Sequence, residues 1–106
     1  MALYGIYGSH APEVCPIYVP DNARVFVSIA ETDPAQLAER YGIQRIEAQY
    51  HSALEHTFLW IVEAEDPYRI EAFSVDTGLA SFNNLKIVPL HTFAATVERL
   101  KESHEL

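Results

Sequence analysis

The segment His56–Ala64 constrains the fold most strongly, because it has the pattern of a strand with bulky apolar side chains on both faces. Its two alternating sets are Phe58, Trp60, Val62 and Thr57, Leu59, Ile61. An antiparallel sheet with one face in water normally alternates apolar and polar residues. We therefore expect this strand at the centre of a sheet whose two faces are both covered.

Three more segments have the pattern of strands. They are Leu3–Gly8, Ile43–Tyr50 and Leu85–Leu90. The first also carries bulky apolar groups on both faces, which predicts a second central strand. Strict alternation in Ile43–Tyr50 places Ile46, Ala48 and Tyr50 on one face. Pro89 predicts an edge or a bulge for the last strand.

Helix start signals lie between the strand segments. Asp33-Pro34 and Asp66-Pro67 each combine a capping carboxylate with proline at the first helical position. The first predicted helix stops at Gly42, and the second ends near Gly78. Asp21 can cap an earlier helix through Ile29, with a strand over Arg24–Ile29 as the alternative. Thr92 can cap a last helix with Phe93, Val97 and Leu100 on one face.

The resulting order, β-α-β-β-α-β plus a terminal helix, is typical of a ferredoxin-like α+β fold, here one domain over residues 1–106. Right-handed crossovers place strand 1 between strands 3 and 4, with strand 2 outside strand 3. Helices then cover one face of the four-stranded antiparallel sheet. The apolar second face predicts coverage by another subunit, as in a dimeric α/β barrel, in a homodimer or a higher even oligomer.

Charge and cysteine content exclude several classes of function. The net charge of −8 argues against nucleic acid and against an anionic membrane surface as partners. No apolar run approaches the roughly 18 residues that a membrane span needs, and the N-terminus lacks signal-peptide character. A single cysteine permits no internal disulfide, which predicts a cytoplasmic location.

The loop His10-Ala11-Pro12-Glu13-Val14-Cys15-Pro16 holds the candidate chemistry. It brings a histidine, a carboxylate and the cysteine together after the first strand, and its prolines stiffen it. Imidazole, carboxylate and thiolate are all ligands of transition metals. A cysteine beside a histidine is also a nucleophile arrangement, with Cys15 as the candidate nucleophile.

The predicted topology adds ligands from elsewhere in the chain. Since strands 1 and 3 are antiparallel, the end of strand 1 lies beside the start of strand 3, where His56 stands. The connector before strand 3 places His51 at the same edge as a weaker candidate. His91 falls at the opposite edge and His104 in the tail, and we set both aside. The predicted metal ligands are His10, Glu13, Cys15 and His56, and the mixed donors favour zinc, iron or copper.

Two segments resemble a known group of proteins: His10-Ala11-Pro12-Glu13-Val14-Cys15-Pro16 and Glu55-His56-Thr57-Phe58-Leu59-Trp60-Ile61-Val62-Glu63-Ala64. They are similar to the opening and the third strand of uncharacterised small prokaryotic ferredoxin-like proteins of the dimeric α/β-barrel superfamily. The resemblance implies the fold and the pairing of His10 and Cys15 with His56. It implies no activity, because that superfamily includes monooxygenases, isomerases, haem enzymes and binding proteins.

Three hypotheses about function follow. The leading one is a cytoplasmic homodimer that binds a transition metal and works, if it is an enzyme, on a small molecule. The second is a metal-free enzyme with Cys15 as nucleophile and His10 or His56 as base. The third is a non-catalytic module that binds a small ligand or another subunit, in which the His10–Pro16 loop is only structural. Cys15 on its own could also be a small buried hydrophobe.

Overall fold

A computed structural model describes residues 2–106. Over this range, four strands form one antiparallel sheet: β1 Ala2–Ser9, β2 Ile43–Ser52, β3 Thr57–Ala64 and β4 Asn84–Leu90. The helices of the same range are α1 Pro20–Ala30, α2 Pro34–Tyr41, α3 Pro67–Asp76, α4 Leu79–Phe82 and α5 Phe93–His104, and a 3-10 turn covers Pro12–Val14.

The order of the strands in the sheet is β2-β3-β1-β4, so the predicted ferredoxin-like arrangement is confirmed. β1 is antiparallel to both of its neighbours, with Ile6 opposite Trp60 of β3 and Ile87 of β4. Gly8 lies opposite Phe58, and a Cβ atom at Gly8 would lie 2.0 Å from Cε2 of the Phe58 ring. Only glycine therefore lets that ring lie directly across β1.

The start signals of α2 and α3 work as predicted. The Asp33 carboxylate accepts a hydrogen bond from the Ala35 amide at 2.9 Å, and the Asp66 carboxylate accepts one from the Arg69 amide at 3.0 Å. Gly42 ends α2 in the left-handed conformation, with φ of 63°.

The start of α1 differs from the prediction. The helix begins at Pro20, so Asp21 lies inside its first turn and does not cap it. Proline at the first helical position needs no amide partner, and a carboxylate in the first turn suits the helix dipole. The alternative strand over Arg24–Ile29 does not form.

The predicted alternation in β2 is wrong. Ile46 lies opposite Val62, whereas Ala48 lies opposite Ile61, the adjacent residue of β3 and therefore on the other face. An irregularity between Ile46 and Ala48 causes the change, because an extra residue in one strand reverses the faces of everything after it. One result is that His51 shares the face of its partner Phe58.

Helices α1 to α4 lie on the sheet face that carries Ile6, Trp60 and Val62, and the core forms there as one cluster with Ile70 and Phe73. The other face, which we call the open face, carries mainly apolar side chains: Leu3, Tyr7, Leu59, Ile61, Val88 and Leu90. Tyr7 is 41% exposed there, and the rest of this set is half-buried.

The C-terminal helix α5 does not cover the open face. The structure describes all of Phe93–His104, and no side chain of that range is buried. Phe93 is 83% exposed and Leu100 is 49% exposed. Within residues 2–106, no helix has both the length and the apolar character needed to cross a bilayer.

Candidate metal centre

The antiparallel pairing of β1 and β3 brings His10 and His56 together. The ladder ends at Ser9 opposite Thr57, and the next amide along, that of His10, donates to the carbonyl of His56 at 3.1 Å. This extra hydrogen bond ties the backbones of the two histidines to each other. It lies at the sheet edge that the antiparallel topology predicted.

The loop after β1 turns Cys15 inward. The Cys15 amide donates to the Pro12 carbonyl at 3.2 Å, and the Cys15 carbonyl accepts from the amides of Tyr18 and Val19 at 2.9 and 3.0 Å. The side chain of Asn22 in α1 donates to the Val14 carbonyl at 2.7 Å. These contacts hold the thiol in the interior, where Cys15 is 0% exposed.

Asn83 sets the proton position on His10. The Asn83 Nδ2 group donates to the Leu79 carbonyl at 3.0 Å, which leaves Oδ1 facing the His10 ring. His10 Nδ1 lies 2.8 Å from that Oδ1. An amide oxygen can only accept, so His10 Nδ1 carries the proton and Nε2 carries the free lone pair. Metal-ligating histidines are typically oriented by such a partner on the far ring nitrogen.

Two buried imidazole nitrogens have no hydrogen-bond partner among the described residues: His10 Nε2 and His56 Nδ1. Leaving a buried polar atom unpaired is unfavourable, and such atoms are uncommon in folded proteins. His56 also has a positive φ of 55°, a conformation that costs an ordinary residue about 1–2 kcal/mol. A strained backbone and two unpaired nitrogens at one point are typical of a functional site.

His10, Cys15 and His56 each offer one ligand atom, and these atoms lie within 4.8 Å of one another. A first-row ion bonds to nitrogen at about 2.0 Å and to sulfur at about 2.3 Å, so its ligands lie about 3–4 Å apart. The upper limit of 4.8 Å is about 1 Å above this spacing. The three residues therefore fit a mononuclear site.

Aromatic rings lie beside His10. The ring centroid of Phe82 in α4 lies 5.9 Å from that of His10, and Phe26 in α1 lies 5.7 Å from Phe82. The ring of His51 stacks on His10 at 6.2 Å, and its other neighbour is Phe26 at 5.8 Å. Burial lowers the pKa of His51, and the charges that His10 and His56 can carry lower it further.

The other predicted ligands lie differently. Glu13 is exposed on the 3-10 turn, and neither Glu13 nor His51 joins the three-residue group among residues 2–106. Ligation by Glu13 stays a prediction. His91 follows the end of β4 that pairs with Leu3, at the edge opposite His10, as the topology predicted. It is exposed, as is His104 in the last helix.

Sequence reasoning missed Asn83. The signal that could have found it is the pairing of β4 with β1, which places Asn84 opposite Ser9 and so brings the preceding residue to the edge that holds His10. The role of Asn83 also depends on α4, a four-residue helix that the sequence pattern did not predict and whose Leu79 carbonyl orients the amide.

A cleft of about 680 Å³ lies at this edge of the sheet. Its walls include Tyr7, Tyr50 and Leu59, whose cross-strand pairing places them on the open face. His10, Cys15 and His56 do not line it. His51, whose ring stacks on His10 at 6.2 Å, does line it, so the cleft reaches a neighbour of the ligands without including the ligands themselves.

No protein family, curated protein or solved structure matches the chain. The function is therefore inferred from the geometry of the site.

Proposed function

We propose that the chain binds one transition-metal ion through His10, Cys15 and His56. The observation that carries this proposal is the pair of buried, unpaired imidazole nitrogens beside a fully buried cysteine. Asn83 supports it, because its hydrogen bond to His10 Nδ1 presents Nε2 with a free lone pair before any ion arrives. The donor set of two imidazoles and one thiolate suits zinc, iron or copper. A cytoplasmic location suits a site that needs its thiol reduced.

The ligands also explain how binding would couple to folding. Cys15 must release its proton to bind, and the ion replaces the missing partners of the two imidazole nitrogens. Binding therefore removes a cost that the metal-free fold carries. We expect the bound ion to raise the melting temperature.

Elemental analysis tests the proposal. Untagged protein purified without chelators, and the same protein after reconstitution with metal, should hold about one transition-metal ion per chain. Cys15→Ser and His56→Ala should lose it. His91→Ala is the matched control, since His91 is an exposed histidine at the opposite sheet edge. The absence of metal from wild type after reconstitution would overturn the proposal, and Glu13→Gln tests the predicted fourth ligand in the same assay.

The competing function, a metal-free enzyme with Cys15 as nucleophile, has less support. A nucleophile must meet its substrate, and Cys15 is 0% exposed. Alkylation with iodoacetamide separates the two functions. A metal ligand should react slowly in the folded protein and faster after a chelator is added, whereas a catalytic thiol should react quickly without any chelator.

We also propose that a second copy of the chain covers the open face. The apolar set on that face would be self-complementary across a two-fold axis. Of the charged residues at this face, Arg45 forms ion pairs with Glu47 and with Glu63, the latter at 3.1 Å. Lys86, which lies opposite Tyr7, forms no ion pair among residues 2–106. The chain's own α5 leaves the face uncovered. A homodimer packed sheet to sheet accounts for these features.

A further inference from the structure

The charge balance of the metal centre distinguishes between candidate ions. Two neutral imidazoles and one thiolate carry a total charge of −1. A monovalent ion makes the assembly neutral, whereas Zn²⁺ or Fe²⁺ leaves a net charge of +1. An uncompensated charge in the interior is unfavourable unless a counter-charge or water stabilises it.

Within residues 2–106, no carboxylate lies among the ligand atoms, and the two acidic residues nearest the ligands in sequence, Glu13 and Glu55, are both exposed. Asn83 is a neutral amide, and Phe26 and Phe82 present aromatic rings. If the His51 ring swung in as a fourth ligand, it would add no charge either.

The number and type of the ligands also favour a monovalent ion. Thiolate is a soft ligand that suits both Cu(I) and zinc, so the number of ligands has to distinguish them, and Cu(I) is stable with three. Zn²⁺ bound by three protein ligands needs a fourth, usually water, and Cu(II) prefers a tetragonal arrangement. Cys15 and His10 are buried and His56 is half-buried, and a set of three protein ligands matches the cuprous ion.

We propose that the site is selective for Cu(I), held by His10, Cys15 and His56 as a neutral three-coordinate centre. This inference rests on the proposed metal-binding function. The selectivity follows from charge, because the one thiolate compensates one positive charge and the two neutral imidazoles compensate none.

The test compares affinities for Cu(I) and Zn²⁺ on the full chain under anaerobic conditions. Cu(I) is titrated in competition with bathocuproine disulfonate, and Zn²⁺ in competition with a chromophoric chelator. We expect one Cu(I) per chain, bound at least a thousandfold more tightly than Zn²⁺. X-ray absorption at the copper edge should show two nitrogen neighbours and one sulfur neighbour. Tighter binding of Zn²⁺, or a copper site with four or more neighbours, would overturn the inference.

Two variants test the charge argument itself. Asn83→Asp keeps an acceptor for His10 Nδ1–H and adds one negative charge beside the site, so the preference for Cu(I) over Zn²⁺ should fall at least tenfold. Asn84→Asp adds the same charge at an exposed neighbouring position and should leave the preference unchanged. An equal effect of both variants, or no effect of either, would contradict the charge argument. Circular dichroism would show whether Asn83→Asp folds. If it does not, the affinities and the absorption spectrum of the wild type still decide between Cu(I) and Zn²⁺.

The outcomes separate this inference from the proposed function. Stoichiometric binding of Zn²⁺ or Fe²⁺ in preference to Cu(I), lost in Cys15→Ser, would retain the metal site and reject the cuprous assignment. If neither Cu(I) nor a divalent ion bound, both would fail together.

Discussion

At the scale of single residues, the proposed metal centre would depend on Asn83 as well as on the three proposed ligands. Its amide is oriented by the Leu79 carbonyl and holds the His10 ring in the tautomer that leaves Nε2 free. The same arrangement occurs at many metal sites, where removing the residue that orients a ligand weakens binding without removing a ligand.

Asn83→Ala is therefore expected to weaken metal binding by about 10- to 100-fold. The His10 ring loses the acceptor for Nδ1–H and becomes free to rotate or to change tautomer. Competition titrations with a chelator measure the change. Asn84→Ala removes an exposed neighbouring asparagine and should bind as wild type does. Equal affinities for wild type and Asn83→Ala would show that the hydrogen bond does not prepare His10 for binding.

The left-handed backbone of His56 gives a second prediction at this scale. His56→Gly and His56→Ala both remove the imidazole, but only glycine adopts a φ of 55° without strain. In the metal-free protein, we expect the free energy of unfolding of His56→Gly to exceed that of His56→Ala by about 1 kcal/mol. Urea denaturation measures the difference.

The control for His56 is the same pair of substitutions at His51, which lies in β2. There the order should reverse, because glycine weakens a strand and alanine has no positive φ to adopt. The same order of stability at both positions would contradict backbone strain at His56.

At the scale of elements, the helices differ in how firmly they are held. α3 buries Ile70 and Phe73 against the sheet, whereas α5 buries no side chain although the structure describes all of it. Both begin with a side-chain cap: Asp66 accepts from the Arg69 amide at 3.0 Å, and Thr92 accepts from the Ala95 amide at 3.1 Å. The caps are similar, but the packing behind them is not.

Asp66→Ala should lower the global free energy of unfolding by about 1 kcal/mol, the usual cost of a lost cap. Thr92→Ala should change it by no more than about 0.3 kcal/mol, because an unpacked helix can open without the rest of the domain. Urea denaturation followed by tryptophan fluorescence reports the core through Trp60. Equal losses would show that α5 is packed in solution.

The sequence pattern predicts where the strands lie, but it does not predict the sheet face of every strand residue. Alternation located all four strands of the described chain, and apolar residues on both faces identified β1 and β3 as central. The face of Ile46 could not be obtained this way, because the irregularity before Ala48 has no marker such as glycine or proline within Ile46–Ala48. That irregularity is also what places His51 beside His10.

At the scale of the whole molecule, the open face is an apolar surface that α5 leaves uncovered. It carries apolar side chains on three neighbouring strands, such as Leu3, Leu59 and Val88. Sheet-to-sheet packing with a second copy would bury them. The net charge of −8 per chain opposes that association, so dimerisation should strengthen as salt screens the repulsion.

Ile61→Lys should convert the dimer to a monomer at low micromolar concentration. Ile61 lies opposite Gly5 in the middle of the open face, so a second copy would have to bury an unpaired ammonium group. The expected loss is about a hundredfold in affinity, or about 3 kcal/mol. Sedimentation velocity measures it, with Val75→Lys as the control, because Val75 is an exposed residue of α3 on the helix side.

A wild-type protein that sediments as a monomer would reject the proposed dimer, and so would an Ile61→Lys variant that sediments as wild type does. Neither result would affect the metal centre. The three proposed ligands all come from one chain.

The sequence by itself determined the order of the elements, the strand order of the sheet and the edge at which His10, Cys15 and His56 meet. These depend on local periodicity, on capping residues and on the handedness of crossovers, and all three can be read along the chain. The exposure of Glu13 on the 3-10 turn and the contact of Asn83 with His10 became visible only in the folded chain. The direction of a loop side chain and the far partner of an imidazole depend on contacts between residues that are distant in sequence, 73 positions for His10 and Asn83, and no local pattern records such contacts.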